Sequence, residues 1–252
     1  MQDIKYSVII IIIIKRAWVT MYENQKIITK LNSLGFSCSE SEAEKLAKYM
    51  SFLVEYNKNV NLTAITEEND IIVKHFADSL GAVADIPNGS KHVDIGSGAG
   101  FPAVVIKIFR PDVDVTMVES NGKKVLFLQK LIELLELNGI RAVKLRAEEV
   151  ARSKERESYD TASARAVTEL NKLVEYTLPL IKVGGRLYAY KGKSEEELEK
   201  AQKAIKILGG KVVENRVYTL DGQARSLIIV EKIDKTSNVY PRHNKKILSN
   251  PL

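Results

Sequence analysis

The segment Asp94-Ile95-Gly96-Ser97-Gly98-Ala99-Gly100-Phe101-Pro102 packs three glycines into five positions, between the strand-like run Lys91 to Ile95 and the helix-like run Ala103 to Phe109. Few sequences tolerate this, because a tight strand–turn–helix junction needs backbone angles that side chains resist. Glycine also lets a ligand approach the main chain without a Cβ in the way. A second apolar run ends at Glu119, 19 positions beyond Gly100. That is about where an acid at the tip of the next strand accepts hydrogen bonds from a ribose. The loop and the acid together point to an adenosine-type cofactor. Neither does so alone.

The spacing separates two kinds of cofactor. Dinucleotide loops read G-x-G-x-x-G and present a helix N-terminus to a pyrophosphate. Here the third glycine comes one residue early, and Asp94 stands two residues before the first. A carboxylate there repels a pyrophosphate but suits a ligand carrying an ammonium and a sulfonium. The pattern resembles the class I S-adenosylmethionine methyltransferases, with nicotinamide-dependent dehydrogenases as the alternative.

With 252 residues, the chain has room for one sizeable α/β domain and an appendage. A single cysteine, Cys38, excludes an internal disulfide and a cysteine zinc site, and so favours a reducing, cytoplasmic compartment. The net charge of +6 is compatible with a polyanionic partner without requiring one. Val8 to Ile14 is a run of seven apolar residues, far short of the roughly 20 that span a bilayer. No membrane is expected, and residues 1–21 read as a non-essential extension with Met21 as a second possible start.

Along the rest of the chain, four segments organise the reading. Residues 22–90 form a helical N-terminal region. Its first helix is a capped amphipathic one from Ser39 to Asn57, with Ala43, Leu46, Met50 and Leu53 on one face. A second helix runs from Asn69 to Ala84. Residues 91–233 form the core, with strands Lys91–Ile95, Asp114–Glu119, Ala142–Arg146, Thr161–Ala164 and Gly185–Tyr190. Helices Phe101–Phe109, Gly122–Asn138, Glu169–Ile181 and Glu195–Leu208 lie between and after them. Two final strands, Lys211–Leu220 and Arg225–Ile233, meet at the hairpin turn Asp221-Gly222. This alternation implies a mostly parallel, Rossmann-like seven-stranded sheet closed by an antiparallel hairpin. Residues 234–252 are a basic tail; with Lys232 just before it, Lys235, Arg242, Lys245 and Lys246 are candidates to grip RNA backbone.

Ligands of such sheets bind at the carboxyl ends of the strands. Those ends collect the glycine loop, Glu119, Ala147-Glu148, Arg165 and Lys191. Together with Asn61-Leu62-Thr63-Ala64, His75-Phe76-Ala77-Asp78-Ser79-Leu80, Ser163-Ala164-Arg165-Ala166, Tyr190-Lys191-Gly192, Arg225-Ser226-Leu227 and Tyr240-Pro241-Arg242, they closely resemble one family. It is the bacterial 16S ribosomal RNA guanine-N7 methyltransferases, also called the glucose-inhibited division protein B family. The likeness runs from about residue 40 to the end.

The resemblance implies S-adenosylmethionine-dependent methylation of N7 of one guanosine in 16S ribosomal RNA; separately, a monomer with no DNA partner is expected. It implies that Asp94, Gly96, Gly98, Gly100 and Phe101 form the cofactor loop and that Glu119 holds the ribose. Ala147 and Glu148 meet the adenine. Arg165 stands beside the cofactor at the reaction centre and counts among both the cofactor-binding and the catalytic residues, with Lys191 and His75 as further catalytic candidates. Guanine N7 already carries an exposed lone pair, so direct in-line transfer needs no general base. A non-enzymatic RNA-binding or division-associated factor with a vestigial pocket is the remaining alternative.

Overall fold

The structure, a computed structural model, describes residues 21–192 and 195–252; the Val8–Ile14 run lies outside the described residues. Residues 21–33 are helical (α1), followed by α2 (Glu40–Asn57). The start of α2 is set by Ser39, whose hydroxyl accepts from the Glu42 amide while the Glu42 carboxylate accepts from the Ser39 amide. Next comes the short α3 (Glu68–Ile71), which runs directly into a π-helical turn, Ile72–Ala77, and then a 3-10 turn, Leu80–Asp85.

The core follows as β1 (Lys91–Ile95), α4 (Ala103–Phe109), β2 (Asp114–Glu119), α5 (Gly122–Leu134), β3 (Ile140–Lys144), α6 (Ala147–Val150) and β4 (Tyr159–Arg165). It continues through α7 (Leu170–Thr177), β5 (Ile181–Lys191), α8 (Glu195–Ile207), β6 (Gly210–Leu220), β7 (Gln223–Lys232) and α9 (Asn244–Ser249).

Seven strands form one sheet in the order β3-β2-β1-β4-β5-β7-β6. Strands β1 to β5 pair in parallel, and β7 runs antiparallel to both β5 and β6, as the alternation and the terminal hairpin foretell. Strand order reverses at β1, which has β2 on one side and β4 on the other. That opens a crevice at their carboxyl ends. On one face of the sheet, α1, α2, α4 and α5 bury Leu31, Tyr49, Leu53, Ile106 and Phe127. The other face is covered by α7 and α8, which bury Leu173, Val174, Ala201 and Ile205 against Val93, Ala162 and Leu187.

Several boundaries differ from the sequence reading. Among them are the end of α5, at Leu134 and not Asn138, and the starts of β4, β5 and β7, each two to four residues early. Pro179 offers no amide to a continuing helix, so α7 stops at Thr177 and Ile181 already pairs with Tyr159. Strand β3 begins two residues early, at Ile140, because its register to β2 matches Ile140 with Val115. Arg146, expected in that strand, instead starts α6, its amide donating to the Glu149 carboxylate. The expected helix from Asn69 to Ala84 is the α, π and 3-10 sequence above; π turns widen a helix and often mark functional sites.

The tail is largely spent on the fold. Arg242 forks onto Glu175, a carboxylate with no exposed surface, through Nε at 2.9 Å and Nη2 at 2.6 Å, and its amide donates to the same group. Lys232, equally buried, donates to the Leu178 carbonyl and Thr236 hydroxyl.

Gly98 and Gly100 both have positive φ, but only Gly100 is walled in. A Cβ there would lie 2.8 Å from the Tyr49 hydroxyl and from Val104 Cγ2, whereas at Gly98 it would meet nothing closer than 3.7 Å. Gly98→Ala is therefore expected to cost about 1 kcal/mol from the left-handed backbone alone. Gly100→Ala should cost about 1–3 kcal/mol more from overpacking. Urea unfolding of the two variants measures this, and equal losses would contradict it.

Candidate functional site

The glycine loop is fastened from three directions. Its start is tied to β2 by the amides of Gly96 and Ser97, which donate to the Val118 carbonyl at 2.9 and 3.3 Å. One oxygen of Glu119 accepts from the Gly98 amide (3.0 Å) and the other from the Asn121 amide (2.7 Å). From the helical layer, Tyr49 donates its hydroxyl to the Ala99 carbonyl and stacks on the Phe101 ring at 5.0 Å. Burial pushes the Tyr49 phenol well above its ordinary range, so it remains a donor.

Asp94 sits beneath this loop with no exposed surface. Its Oδ1 accepts from the Ser163 hydroxyl at 2.6 Å, and its Oδ2, also buried, has no partner among the described residues. Burial pushes its carboxyl up to about 7, against the hydrogen bond from Ser163 and the nearby charge of Arg165.

Two cavities open along the crevice. The first, about 260 Å³, is lined by Gly96, Glu119, Ala147, Glu148, Tyr176 and Asn244, among others. Glu148 is 6% exposed and makes no hydrogen bond among the described residues, leaving a free carboxylate in the wall. Asn244 arrives on α9 and accepts from the Tyr176 hydroxyl, so the chain terminus completes this cavity.

The second cavity, about 520 Å³, is lined by Lys74, His75, Asp78, Arg165, Lys191 and Arg225. Val167 and Thr168 line both. The chain turns there through Ala166, a non-glycine residue at φ +55°. Such angles cost of order 1–3 kcal/mol and cluster where function needs them. A Cβ on Gly96 would lie 2.7 Å from Val167 Cγ2, so the residue between the cavities also requires that glycine. A larger cavity, about 710 Å³, lies among Glu169, Glu195, Glu196 and Lys200 and includes no residue of the glycine loop.

Arg165 is held at the edge of the second cavity by every group around it. Its Nη1 donates to the Lys74 carbonyl (3.0 Å) and Asp78 (3.1 Å), and its Nη2 reaches His75 Nδ1 at 2.9 Å. Its guanidinium lies 5.0 Å from the Phe101 ring centre, on which His75 also stacks at 4.4 Å. Because an arginine only donates, His75 Nδ1 must accept, and its Nε2–H then donates to Thr63 Oγ1 at 2.9 Å. Burial, and then the Arg165 charge, hold the imidazole down to about 3. His75 is thus a neutral support for Arg165 and no proton acceptor. The π turn supplies Lys74 and His75 together, and Asp78 follows it.

Not every expected residue faces a cavity. Among the cofactor candidates, Gly96, Glu119, Ala147 and Glu148 line the first. Asp94, Gly98, Gly100 and Phe101 stand behind it, Phe101 with its ring covered by His75 and Arg165. Lys191 lines the second cavity, but its ammonium is engaged by Glu197 and the Thr168 carbonyl, both at 2.6 Å. The sequence reading missed Tyr49, Tyr176 and Asn244. It also gave no role to Asp78, which gathers Arg165, Tyr218 and Arg225.

Residues 42–228 match the family model for rRNA small subunit methyltransferase G, also called GidB. The chain belongs to that family. The ribosomal RNA small subunit methyltransferase G of Lactobacillus delbrueckii subsp. bulgaricus is 44% identical over 220 residues, 84% of this chain and 92% of the relative. That of Lactobacillus johnsonii is 43% identical over 238 residues, 89% of this chain and all of the relative. Membership sets aside the nicotinamide-dependent alternative.

Among solved structures, a B. subtilis tRNA methyltransferase, TrmK, aligns with a TM-score of 0.53 at 14% identity, over 65% of this chain and 68% of that one. P. horikoshii TYW2 in complex with MeSAdo aligns at 0.51 and 14%, over 62% and 61%. These likenesses show the class I methyltransferase fold. Among the described residues, no helix is long and apolar enough to cross a membrane.

His75 and His92 are both held at about 3 by burial, below the ordinary 6.5. Between those limits the unfolded chain binds more protons, so stability falls as pH falls. Asp94, raised to about 7, acts in the opposite sense between 7 and its ordinary 3.8. Two groups against one predict a lower urea midpoint for the cofactor-free protein at pH 4.5 than at pH 6.5. A higher midpoint at the acidic end would mean that the Asp94 contribution dominates.

Proposed function

We propose that this protein transfers a methyl group from S-adenosylmethionine to N7 of a guanosine in 16S ribosomal RNA. The observation that carries this reading is the meeting of the two cavities at Val167 and Thr168, with an adenosine-sized cradle on one side and Arg165 on the other. The residues suit the cofactor. Glu119 lies where ribose hydroxyls can donate to it, and the unpartnered Glu148 carboxylate suits an adenine amino group. Asp94 Oδ2, buried without a partner, suits an ammonium. The relatives' names support ribosomal RNA as the acceptor class.

When bound, S-adenosylmethionine supplies an electrophilic methyl on a positively charged sulfur. The chain's own task is to place the acceptor and exclude water. Fixed orientation can supply about 7–11 kcal/mol of barrier reduction in favourable cases. Arg165 is already immobilised by Asp78, His75 and the Lys74 carbonyl, so it loses little freedom when a base arrives. Its guanidinium can donate toward the guanine O6 edge, next to N7, as arginine does in duplex DNA. That contact orients the N7 lone pair. It requires no base, in keeping with a His75 whose only lone pair is occupied by Arg165.

Half-buried cations lining the second cavity, Lys74 paired with Asp70 and Arg225 beside Asp78, suit the phosphates of an RNA strand with the target base splayed out. On the basic tail Lys235, Lys245 and Lys246 remain candidates for RNA backbone, because Arg242 is committed to Glu175 and Lys232 is buried. The expectations of a monomer and of a cytoplasmic location belong to the same reading.

The test is methyl transfer from labelled S-adenosylmethionine to small ribosomal subunits that lack the modification, followed by nucleoside analysis. A single labelled 7-methylguanosine is expected. Label on any other atom would refute the N7 assignment. Arg165→Ala should lower the rate about a hundredfold, the scale of a misplaced reactant. An unchanged rate would remove Arg165 from the reaction centre.

A further inference from the structure

His92 lies in the middle of the sheet with no exposed surface, and nothing in the proposed reaction uses it. The register of the two central strands decides what surrounds it. His92 is opposite Thr161 and Asp94 is opposite Ser163, so the four polar side chains share one face of β1 and β4. They form an unbroken chain. Thr161 Oγ1 is 2.8 Å from His92 Nδ1, His92 Nε2 is 2.8 Å from Ser163 Oγ, and Ser163 Oγ is 2.6 Å from Asp94 Oδ1.

The direction of this chain follows from its end. An ionised carboxylate only accepts, so Ser163 donates its one proton to Asp94 and must accept from His92 Nε2–H. The Nδ1 lone pair then accepts from Thr161. Burial keeps the imidazole neutral, which this tautomer requires. At the far end, Asp94 Oδ2 is buried and unpartnered. Buried polar atoms are nearly always satisfied, and each exception calls for a reason. Four polar groups ordered in a sheet interior, ending on an orphan acceptor beneath the glycine loop, suit the charged end of a ligand.

We propose that His92 is a positioning residue for the amino-acid end of the cofactor: acting through Ser163, it holds Asp94 as an oriented acceptor whose Oδ2 takes the ammonium. This rests on the S-adenosylmethionine reading above and adds the residue that prepares its carboxylate. The groups facing Asp94 are Ser163 and Arg165 from β4, Ser97 from the loop, Glu119 from β2 and Tyr49 from α2. Arg165 favours the carboxylate and Glu119 opposes it. Of the groups that face it, Ser163 alone donates to its carboxylate, and that hydroxyl is set by His92.

Calorimetric titration with S-adenosylmethionine and with 5′-methylthioadenosine, which lacks the amino-acid end, separates this role from a structural one. His92→Phe should weaken S-adenosylmethionine binding about tenfold, the order expected for a hydrogen bond to a charged group, and leave 5′-methylthioadenosine unaffected. His92→Gln should restore the affinity, since an amide can donate to Ser163 and accept from Thr161. Wild-type affinity for S-adenosylmethionine should fall as pH drops below about 7, where the Asp94 carboxyl takes up its proton. In His92→Phe the fall should begin at higher pH, and 5′-methylthioadenosine should show no such fall.

Ser163→Ala, a smaller change, carries the same expectations if His92→Phe does not fold. Parallel loss of both ligands would overturn the proposal in favour of a structural role, and unchanged affinity and pH profile would overturn it as well. Wild-type protein that binds neither ligand would instead overturn the cofactor reading, and this proposal with it.

Discussion

The rest of the structure depends on β1 pairing in parallel on both sides, with β2 at one edge and β4 at the other. Strand order diverges from that point, which opens a crevice at the carboxyl ends of β1 and β4, and the glycine loop emerges into the gap. Glu119 arrives from one neighbour, while Ser163 and Arg165 arrive from the other. The first cavity belongs to the β2 side of the crevice and the second to the β4 side. A cofactor and an acceptor can therefore meet without either passing through the core.

Around that gap, the ionisable groups are arranged to hold one another. Arg165 is satisfied by Asp78, a main-chain carbonyl and a neutral histidine, above the face of Phe101. Leaving a charge unpaired at such burial is costly, and each partner here offsets part of that cost while removing a degree of freedom. The same logic pins Arg242 to Glu175, which docks the terminal segment so that Asn244 closes the first cavity. Fixed cations near a reaction centre are useful when the chemistry needs orientation more than proton transfer. The guanidinium is ordered before any substrate binds.

Much of this was legible in the residues themselves. The three glycines, Asp94 and Glu119 announce a strand–turn–helix cofactor loop, because positive φ and an acid at the next strand end are local requirements. The alternation of runs after residue 91 announces the parallel sheet, and Asp221-Gly222 the closing hairpin. Other features were hidden. The π turn at Ile72–Ala77 reads as ordinary helix, since a one-residue widening leaves the apolar spacing nearly intact. Tyr49 reads as one more apolar position of an amphipathic helix, yet its hydroxyl holds the loop at Ala99 from 50 residues away. Arg242 and Lys232 read as basic residues available to RNA backbone, because nothing local reveals that Glu175 and the Leu178 carbonyl await them.

By itself, the sequence determined the class of sheet, the place of the glycine loop and the acid at the end of β2. Each follows from periodicity or from backbone angles that only certain residues accept. Tertiary structure alone decided which side chains share a face. The register of β1 on β4 aligned His92, Ser163 and Asp94, and the turn at Ala166 set Val167 against Gly96. The π turn brought His75 to Arg165 across 90 residues of chain. Such contacts depend on register and packing between distant segments, and neither is written in the spacing of residues along one of them.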